Sequence, residues 1–328
     1  MAVSYTTTSD IEAGTQEYYN RLLLERAIPY LPHALFGQKR PVPMNDGDTA
    51  KFRKYDSLSV ATAPLTEGVT PTGDTASKTD ITSAIYTYGN FIYVTDKVEY
   101  TNQDKVLNEL TTVISENAGE SIDTIYRDIL AAGTSVRYQS DVAGRSSVAN
   151  VLSTTDVNKA IRDLKENDAK YFTKMVAAST NVSTEGIRPA FWSIIHPHTT
   201  YDIDSNLTSI EEYASTSPIH ESEVGAYKNV RFIESTNAKV FTGGSTSGSG
   251  DEMPDGTSPY DVYGTLVFAK NAYGVIDLSS KAMETIFKTK DQVGGPLNQR
   301  SSIGWKAYTT LKILNENWMI RIEHLASE

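Results

Sequence analysis

Residues 104–133 read DKVLNELTTVISENAGESIDTIYRDILAAG, and the rest of the chain is organised around that stretch. Val106, Leu110, Ile114, Ala118, Ile122, Ile125 and Ile129 recur at three- or four-residue steps, the spacing that gathers apolar side chains on one helix face. Glu109, Glu116, Glu120, Asp123 and Arg127 take the other faces, so Glu120 and Asp123 are expected in solvent. At 1.5 Å per residue the helix is a rod of roughly 45 Å, enough to span a lobe. Gly119 is a mid-helix cost that close packing offsets, and Gly133 is a C-terminal stop.

On the N-terminal side, Asp10 to Ala27 is expected as an amphipathic helix, with Ile11, Thr15, Tyr18, Leu22 and Ala27 joined by Tyr19, Leu23 and Leu24. Pro29 and Pro32 stop it, and Phe36 to Asp48, with Pro41, Pro43 and Gly47, reads as an extended arm. Leu22, Leu23, Leu24, Leu31 and Leu35 are costly to expose, so the arm should dock, either on its own chain or on a neighbouring copy. Lys51 to Tyr55 alternates charge with aromatics, and Ser57 to Lys78 is rich in Thr, Gly and Pro. Strand patterns return at Asp80 to Tyr88 and Phe91 to Tyr100. Together they describe a long hairpin-like excursion in which Leu65 and Val69 are nearly the only large apolar residues of the tip. A two-stranded ribbon is marginal alone and gains order by lying on a partner; a plain surface loop is the alternative.

On the C-terminal side, a second helix is expected from Asp156 to about Ala177, where Ser153 and Asp156 have capping-box spacing. Phe191 to Ile195 reads as a buried strand ended by Pro197, Leu207 to Tyr213 as a short helix, and Val230 to Glu234 and Ala238 to Phe241 as strands. Gly243 to Gly250 is low-complexity and reads as a surface linker. Five strands follow at Tyr263 to Ala269, Ala272 to Leu278, Met283 to Thr289, Gly304 to Leu314 and Trp318 to Leu325. The last two, turned at Asn315 to Asn317, are expected to form an antiparallel hairpin.

A chain of 328 residues can bury a sizeable core over two or three lobes, and 39% hydrophobic with 22% charged residues excludes uniform disorder. Tyrosine, at 19 copies against 3 Trp, supplies ring area with a hydroxyl for edges and interfaces. A formal charge of −11 argues against a passive nucleic-acid wrapper, and Lys51, Arg53, Lys54, Lys78, Lys97 and Lys105 concentrate positive charge around the excursion. The absence of Cys removes disulfides, thiol nucleophiles and thiolate-bound zinc. Met1 to Asp10 lacks the pattern of a secretory signal and no apolar run reaches membrane-span length, so a soluble intracellular product is expected.

One compact set invites catalysis. His196, His198 and Asp202 at a strand end could present two imidazoles and a carboxylate to one metal, as a metal-dependent hydrolase requires. Pro197 makes the pair a strand-exit turn instead, and no HExxH, GxSxG or Walker loop supports chemistry. The glycine run lacks the Lys-Ser/Thr and strand–helix frame of a phosphate loop. No enzyme activity and no cofactor are expected.

Thr15 to Tyr30 as arm, Phe52 to Tyr100 as excursion, Val106 to Gly133 as central helix and Phe191 to Asp202 as strand with a His-Pro exit follow one another in a telling order. In that order the chain resembles the major capsid proteins of tailed bacteriophages, particularly those of N-four-like phages, over essentially its whole length. The resemblance implies an α+β Hong-Kong-97-like capsid fold. Its parts would be an N-terminal arm (1–48), an extended β-hairpin loop (49–97), a peripheral domain with a long spine helix (98–150, with return strands at 262–328) and an axial α/β domain (151–261). It also implies a self-assembling homo-oligomer of pentamers and hexamers. These would form an icosahedral head enclosing double-stranded DNA without sequence-specific binding or any membrane.

A scaffold protein, a portal and a decoration protein are the implied partners. Because the arm begins at once, the scaffold is expected to be a separate chain. The implied location is the virion capsid, assembled in the bacterial host cytoplasm. Contacts between copies are expected at Tyr18, Leu22, Leu23 and Leu31 of the arm and at Phe52, Arg53, Tyr55, Leu65, Val69 and Lys78 of the excursion. Some relatives join subunits by a Lys–Asn isopeptide bond, but nothing in the sequence pairs one lysine with one Asn. A tail, surface-layer or encapsulating-compartment subunit is the alternative assembly.

Overall fold

The computed structural model describes residues 32–43, 47–55, 58–62, 64, 67–68, 70, 73–97, 106–172, 189–209, 222–247, 259–279, 282–293 and 297–327, with side chains in the long helix described from residue 110. The helix expected at Asp10 to Ala27, and with it Tyr18, Leu22, Leu23 and Leu31, lies outside these residues, as do Leu65 and Val69.

The described chain opens with α1 (Pro32–Leu35), β1 (Gln38–Lys39), β2 (Thr49–Tyr55), β3 (Lys78–Ala84) and β4 (Tyr86–Thr95). The long helix α2 (Val106–Ala131) and β5 (Val136–Tyr138) follow, then α3 (Thr154–Glu166), β6 (Phe191–Ile195), α4 (Pro197–Ile203) and β7 (Thr208–Ser209). The remainder is β8 (Glu223–Tyr227), β9 (Val230–Glu234), β10 (Lys239–Ser245), β11 (Tyr260–Phe268), β12 (Tyr273–Asp277), β13 (Met283–Lys288), α5 (Lys290–Val293), β14 (Arg300–Ile313) and β15 (Met319–His324).

Two sheets organise these elements. In the five-stranded sheet β14 is central: Ser302 to Ala307 is paired with both β13 and β4, so those strands flank it on opposite edges, while β12 pairs with Thr309 to Ile313. The eight-stranded sheet runs β5-β15-β11-β6-β9-β8-β7, with β10 also on β11. Helix α2 lies between the sheets. Its Ile114, Ala118, Ile122, Tyr126 and Leu130, one turn apart, join Ile303, Trp305, Ala307 and Leu311 of β14 and Trp192, Ile194, Leu266 and Phe268 of the larger sheet in one core. Each large aliphatic side chain buried there contributes about 1.5–3 kcal/mol. On the far face of the larger sheet, Val157, Ala160, Ile161 and Leu164 of α3 close a second core over Phe191, Val230, Phe232, Val267, Ile320 and Ile322.

This layering corrects several expectations. β14 and β15 do not form a hairpin: both edges of β14 are taken within its own sheet, and Glu316 to Trp318 carries the chain across to pair β15 with β11 and β5. All six residues of β15 are buried because both faces of its sheet are covered, so its alternation is between two cores rather than core and solvent. β12 to β14 enter the smaller sheet, whereas β11 and β15 enter the larger.

Helix α3 starts as read, with the Ser153 hydroxyl accepting the Asp156 N–H at 3.3 Å, but it ends at Glu166, two residues before Asp168 turns left-handed at φ 54°. Thr208 and Ser209 pair with β8 as a strand rather than beginning a helix. Gly243 to Ser245 is built into β10, with Ser245 fully buried and its hydroxyl donating to the Val148 carbonyl at 2.5 Å. Asp123 is buried rather than solvated, for reasons given below.

Candidate intersubunit surfaces

β2 and β3 form an isolated antiparallel ribbon, in register from Thr49 opposite Ala84 to Tyr55 opposite Lys78. Side chains alternate across such a ribbon. Ala50, Phe52 and Ile81 fall on one face, and with Val42 and Ile276 they make a small core that seats the ribbon base on β12. Gly274 makes the seat possible, since a Cβ there would lie 2.5 Å from the Phe52 ring. Phe52 is thus 6% exposed, packed within its own chain. Lys51, Arg53, Tyr55 and Lys78 lie on the opposite, exposed face. Arg53 Nε donates to Asp80 Oδ1 at 2.9 Å, and this hydrogen bond is the main cause that holds the Asp80 carboxyl below its ordinary range. At the outer end of β2 Tyr55 is 67% exposed, and beyond it Leu58 and Val60 are 57% and 84% exposed.

β4 does not prolong the ribbon. After Ile85, its ten residues pair with β14 from Tyr86 opposite Thr309 to Thr95 opposite Arg300. Phe91 and Tyr93 point away from α2 and stay 58% and 52% exposed, in edge contact at 5.0 Å between ring centroids. They flank a cavity of about 450 Å³ floored by Gly304 and bounded by Ile286 and Lys288.

The arm root is anchored by polar and aromatic contacts. Phe36 stacks on Trp192 at 4.7 Å, and Gln38 and Lys39 add a parallel strand to β12. The His33 ring lies with Nδ1 2.9 Å from Asp123 Oδ1, and the His33 backbone N–H donates to the same oxygen at 3.2 Å. Asn237 Nδ2 donates to Asp123 Oδ2 at 2.8 Å. Asp123 was expected in solvent because helix periodicity alone cannot see that a second segment covers that face. Two polar partners on segments 90 and 114 residues away are what satisfy its charge.

At the other end of the larger sheet, His196 caps α4, its Nδ1 accepting the His198 N–H at 3.3 Å with Pro197 in the first helical turn. The two rings lie 4.8 Å apart against Tyr263, which stacks in turn on His324. Burial, and then the neighbouring His198, lower the His196 pKa to about 4. His324 is fully buried between Thr265 Oγ1 (2.8 Å) and the Leu325 carbonyl (2.6 Å), and burial lowers its pKa to about 4. Asp202 accepts the Ser327 N–H at 3.1 Å and its hydroxyl. Among the described residues no group of three or more His, Asp or Glu side chains is placed to hold a metal ion. These groups cap and tether. No helix of the described residues is long and apolar enough to cross a membrane.

No protein-family model matches the chain, and no curated protein matches it in sequence. Solved structures do. The capsid of Ralstonia phage GP4 matches with a TM-score of 0.66 at 11% identity, over 89% of this chain and 88% of that one. The cyanophage Pam1 capsid matches at 0.59 and 13% identity over 92% of both chains. The SrpI encapsulin of Synechococcus elongatus matches at 0.53 and 10% identity over 89% of this chain and 87% of that one. At such identities the likeness is one of fold: the α+β Hong-Kong-97-like architecture common to these proteins is also that of this chain.

Proposed function

We propose that this chain is the major capsid protein of a tailed bacteriophage of the N-four-like kind, forming the pentamers and hexamers of an icosahedral head around double-stranded DNA. One observation carries the reading. A fold shared with phage capsid proteins over 89% of the chain is combined with a ribbon whose Tyr55, Leu58 and Val60 its own subunit leaves exposed. Exposing such side chains has a cost that contact with a neighbour removes.

In this reading α2 is the spine helix, the ribbon is the extended loop, and the larger sheet with α3 is the axial domain. Residues 32–43 are the inner end of the arm. Tyr18, Leu22, Leu23, Leu31, Leu65 and Val69, with Arg53, Tyr55 and Lys78, make the contacts between copies, while Phe52 holds the ribbon base in place. Head-to-tail contacts whose rotation closes give rings, and many weak contacts in one lattice give a durable shell. A net charge of −11 suits a wall that does not bind polyanionic DNA tightly. A scaffold protein, a portal and a decoration protein are the partners, and the protein resides in the virion capsid after assembly in the host cytoplasm. It has no catalytic role.

The encapsulin match favours a second reading, a cellular compartment built on the same fold. Electron microscopy of the expressed protein, alone and with a candidate scaffold, tests both. Closed shells with five- and six-fold capsomers are expected; tubes, sheets or persistent monomers refute the shell. Particles from infected cells that contain protein cargo and no DNA move the assignment to a compartment.

A further inference from the structure

Four cations gather where the C-terminal end of α2 meets the larger sheet. β10, β11 and β15 run side by side there, with Lys239 opposite Gly264, Gly264 opposite Glu323, and Leu266 opposite Arg321. Paired residues project to the same side of a sheet, as do residues two apart along a strand. Lys239, Phe241, Arg321 and Glu323 therefore stand on one face, where Phe241 is only half-buried. Gly264 keeps the floor between them clear, since a Cβ there would lie 3.3 Å from the Phe241 ring and 3.6 Å from Arg321 Cδ.

Three of the cations converge on one ring. Arg145 Cζ lies 3.6 Å from the Phe241 centroid, and Lys239 Nζ and Arg321 Cζ each lie 5.5 Å from it. Two of them share the fully buried Glu323: Arg145 donates to it through Nε and Nη2 at 2.7 Å each, and Arg321 through Nε at 2.8 Å. Asp128 is shared in the same way, its Oδ1 accepting Lys239 Nζ at 2.8 Å and two nitrogens of Arg127 at 3.1 and 3.0 Å. Glu316, beside the end of α2, accepts the Thr134 N–H instead. Arg127, Arg145, Lys239 and Arg321 against Asp128 and Glu323 leave an excess of two positive charges, in a chain whose net charge is −11.

Donors are left over as well. Arg321 gives Nη1 to the Ala131 and Gly133 carbonyls that end α2, and its Nη2 meets no acceptor among the described residues although the side chain is only 8% exposed. Arg145 Nη1 is free in the same sense, and Lys239 uses one of its three N–H groups. Cations this close repel one another, and a largely buried site screens that repulsion poorly. An anion seated over Phe241 relieves the repulsion and accepts the spare N–H groups together. Guanidinium and ammonium donors arriving from three directions suit the oxygens of a phosphate, and an excess of two charges matches the roughly −1.5 to −2 of a phosphate group at neutral pH.

We infer that the space over Phe241, bounded by Arg145, Lys239 and Arg321, is a binding site for a phosphate group, carried by a free ion or by a nucleic-acid backbone. The site is a property of the single subunit and does not depend on the shell-building reading. One such point of contact per subunit is compatible with an acidic wall that holds DNA loosely.

The test is isothermal titration of the full-length soluble protein with inorganic phosphate at constant ionic strength. One phosphate per subunit is expected, with a Kd of about 1 mM. Lys239→Gln, which leaves Asp128 paired with Arg127, should weaken binding at least about fivefold, and Lys239→Arg should stay within about twofold of wild type. Lys288→Gln removes the same charge from β13 and should change binding less than about twofold. In the wild-type protein, phosphate should slow phenylglyoxal modification of Arg145, mapped by mass spectrometry, by about threefold, a readout that needs no variant. A short DNA duplex that competes with phosphate and loses affinity in Lys239→Gln assigns the group to nucleic acid; phosphate binding without such competition assigns it to a free ion. Absence of saturable binding below about 20 mM phosphate, equal weakening by Lys288→Gln, or an Arg145 modification rate indifferent to phosphate overturns the site. Acetate bound as tightly as phosphate overturns the choice of ligand.

Discussion

Acidification should destabilise the isolated subunit through His324. Its ring is buried and neutral, one nitrogen donating to the Leu325 carbonyl and the other accepting from Thr265, and its pKa is lowered to about 4 against an ordinary 6.5. Because the unfolded chain binds the proton more readily, stability rises with pH between these values and is lost as pH falls from 6.5 toward 4. The full difference of 2.5 pKa units corresponds to a ceiling of about 3 kcal/mol, and the part lost between pH 7 and 4.5 is about 2 kcal/mol. His196, only half buried, adds a smaller loss of the same sign. Carboxylates held low by their partners, such as Asp128 beside Lys239 and Arg127, are still charged in this window and lose their contribution at lower pH. Urea unfolding followed by tryptophan fluorescence at half-unit pH steps measures the slope. His324→Gln offers a donor and an acceptor without titrating, so it should cost about 1–2 kcal/mol at pH 7 and flatten the slope between pH 6.5 and 4.5. Parallel slopes for variant and wild type in that window would refute the assignment to His324.

Three further outcomes follow from packing. Phe52→Ala should cost about 3 kcal/mol and make the ribbon base protease-sensitive, since it empties the seat on Gly274; cleavage no faster than wild type would count against this. Asp123→Ala should destabilise by about 3 kcal/mol, because it strands the buried His33 donor and the half-buried Asn237 donor, whereas Asp123→Asn, which keeps one acceptor, should cost clearly less. Equal losses would place the effect in packing rather than in hydrogen bonding. Ser153→Ala should cost about 1 kcal/mol and Ser153→Asp almost nothing in a thermal melt, as removal and replacement of a helix cap require.

Much of the fold was legible locally. The α2 periodicity, the Ser153 cap and the run Phe191 to Ile195 gave helix, helix start and strand at nearly their observed bounds, because each signal is written within one or two turns of chain. The excursion was legible as a ribbon by its turn residues and its lack of apolar content. Less was legible wherever the answer depended on a distant partner. β14 and β15 are adjacent in sequence yet form no hairpin, because β14 is already flanked on both edges. Asp123 was misplaced because the segment that covers it is the arm root. Phe52, read with its neighbours Arg53 and Tyr55, is on the opposite face of the strand, an outcome that alternation predicts once the register with Ile81 is known.

Side-chain periodicity, turn chemistry and charge along a short span of backbone specify most of the elements, the acidic balance and the order of ribbon, long helix and mixed lobe. Which strands share a sheet and which face of α2 the arm root closes are settled by tertiary packing. Those outcomes depend on burial and on the exhaustion of backbone hydrogen-bonding partners, properties that exist only once segments far apart in the chain compete for the same surfaces.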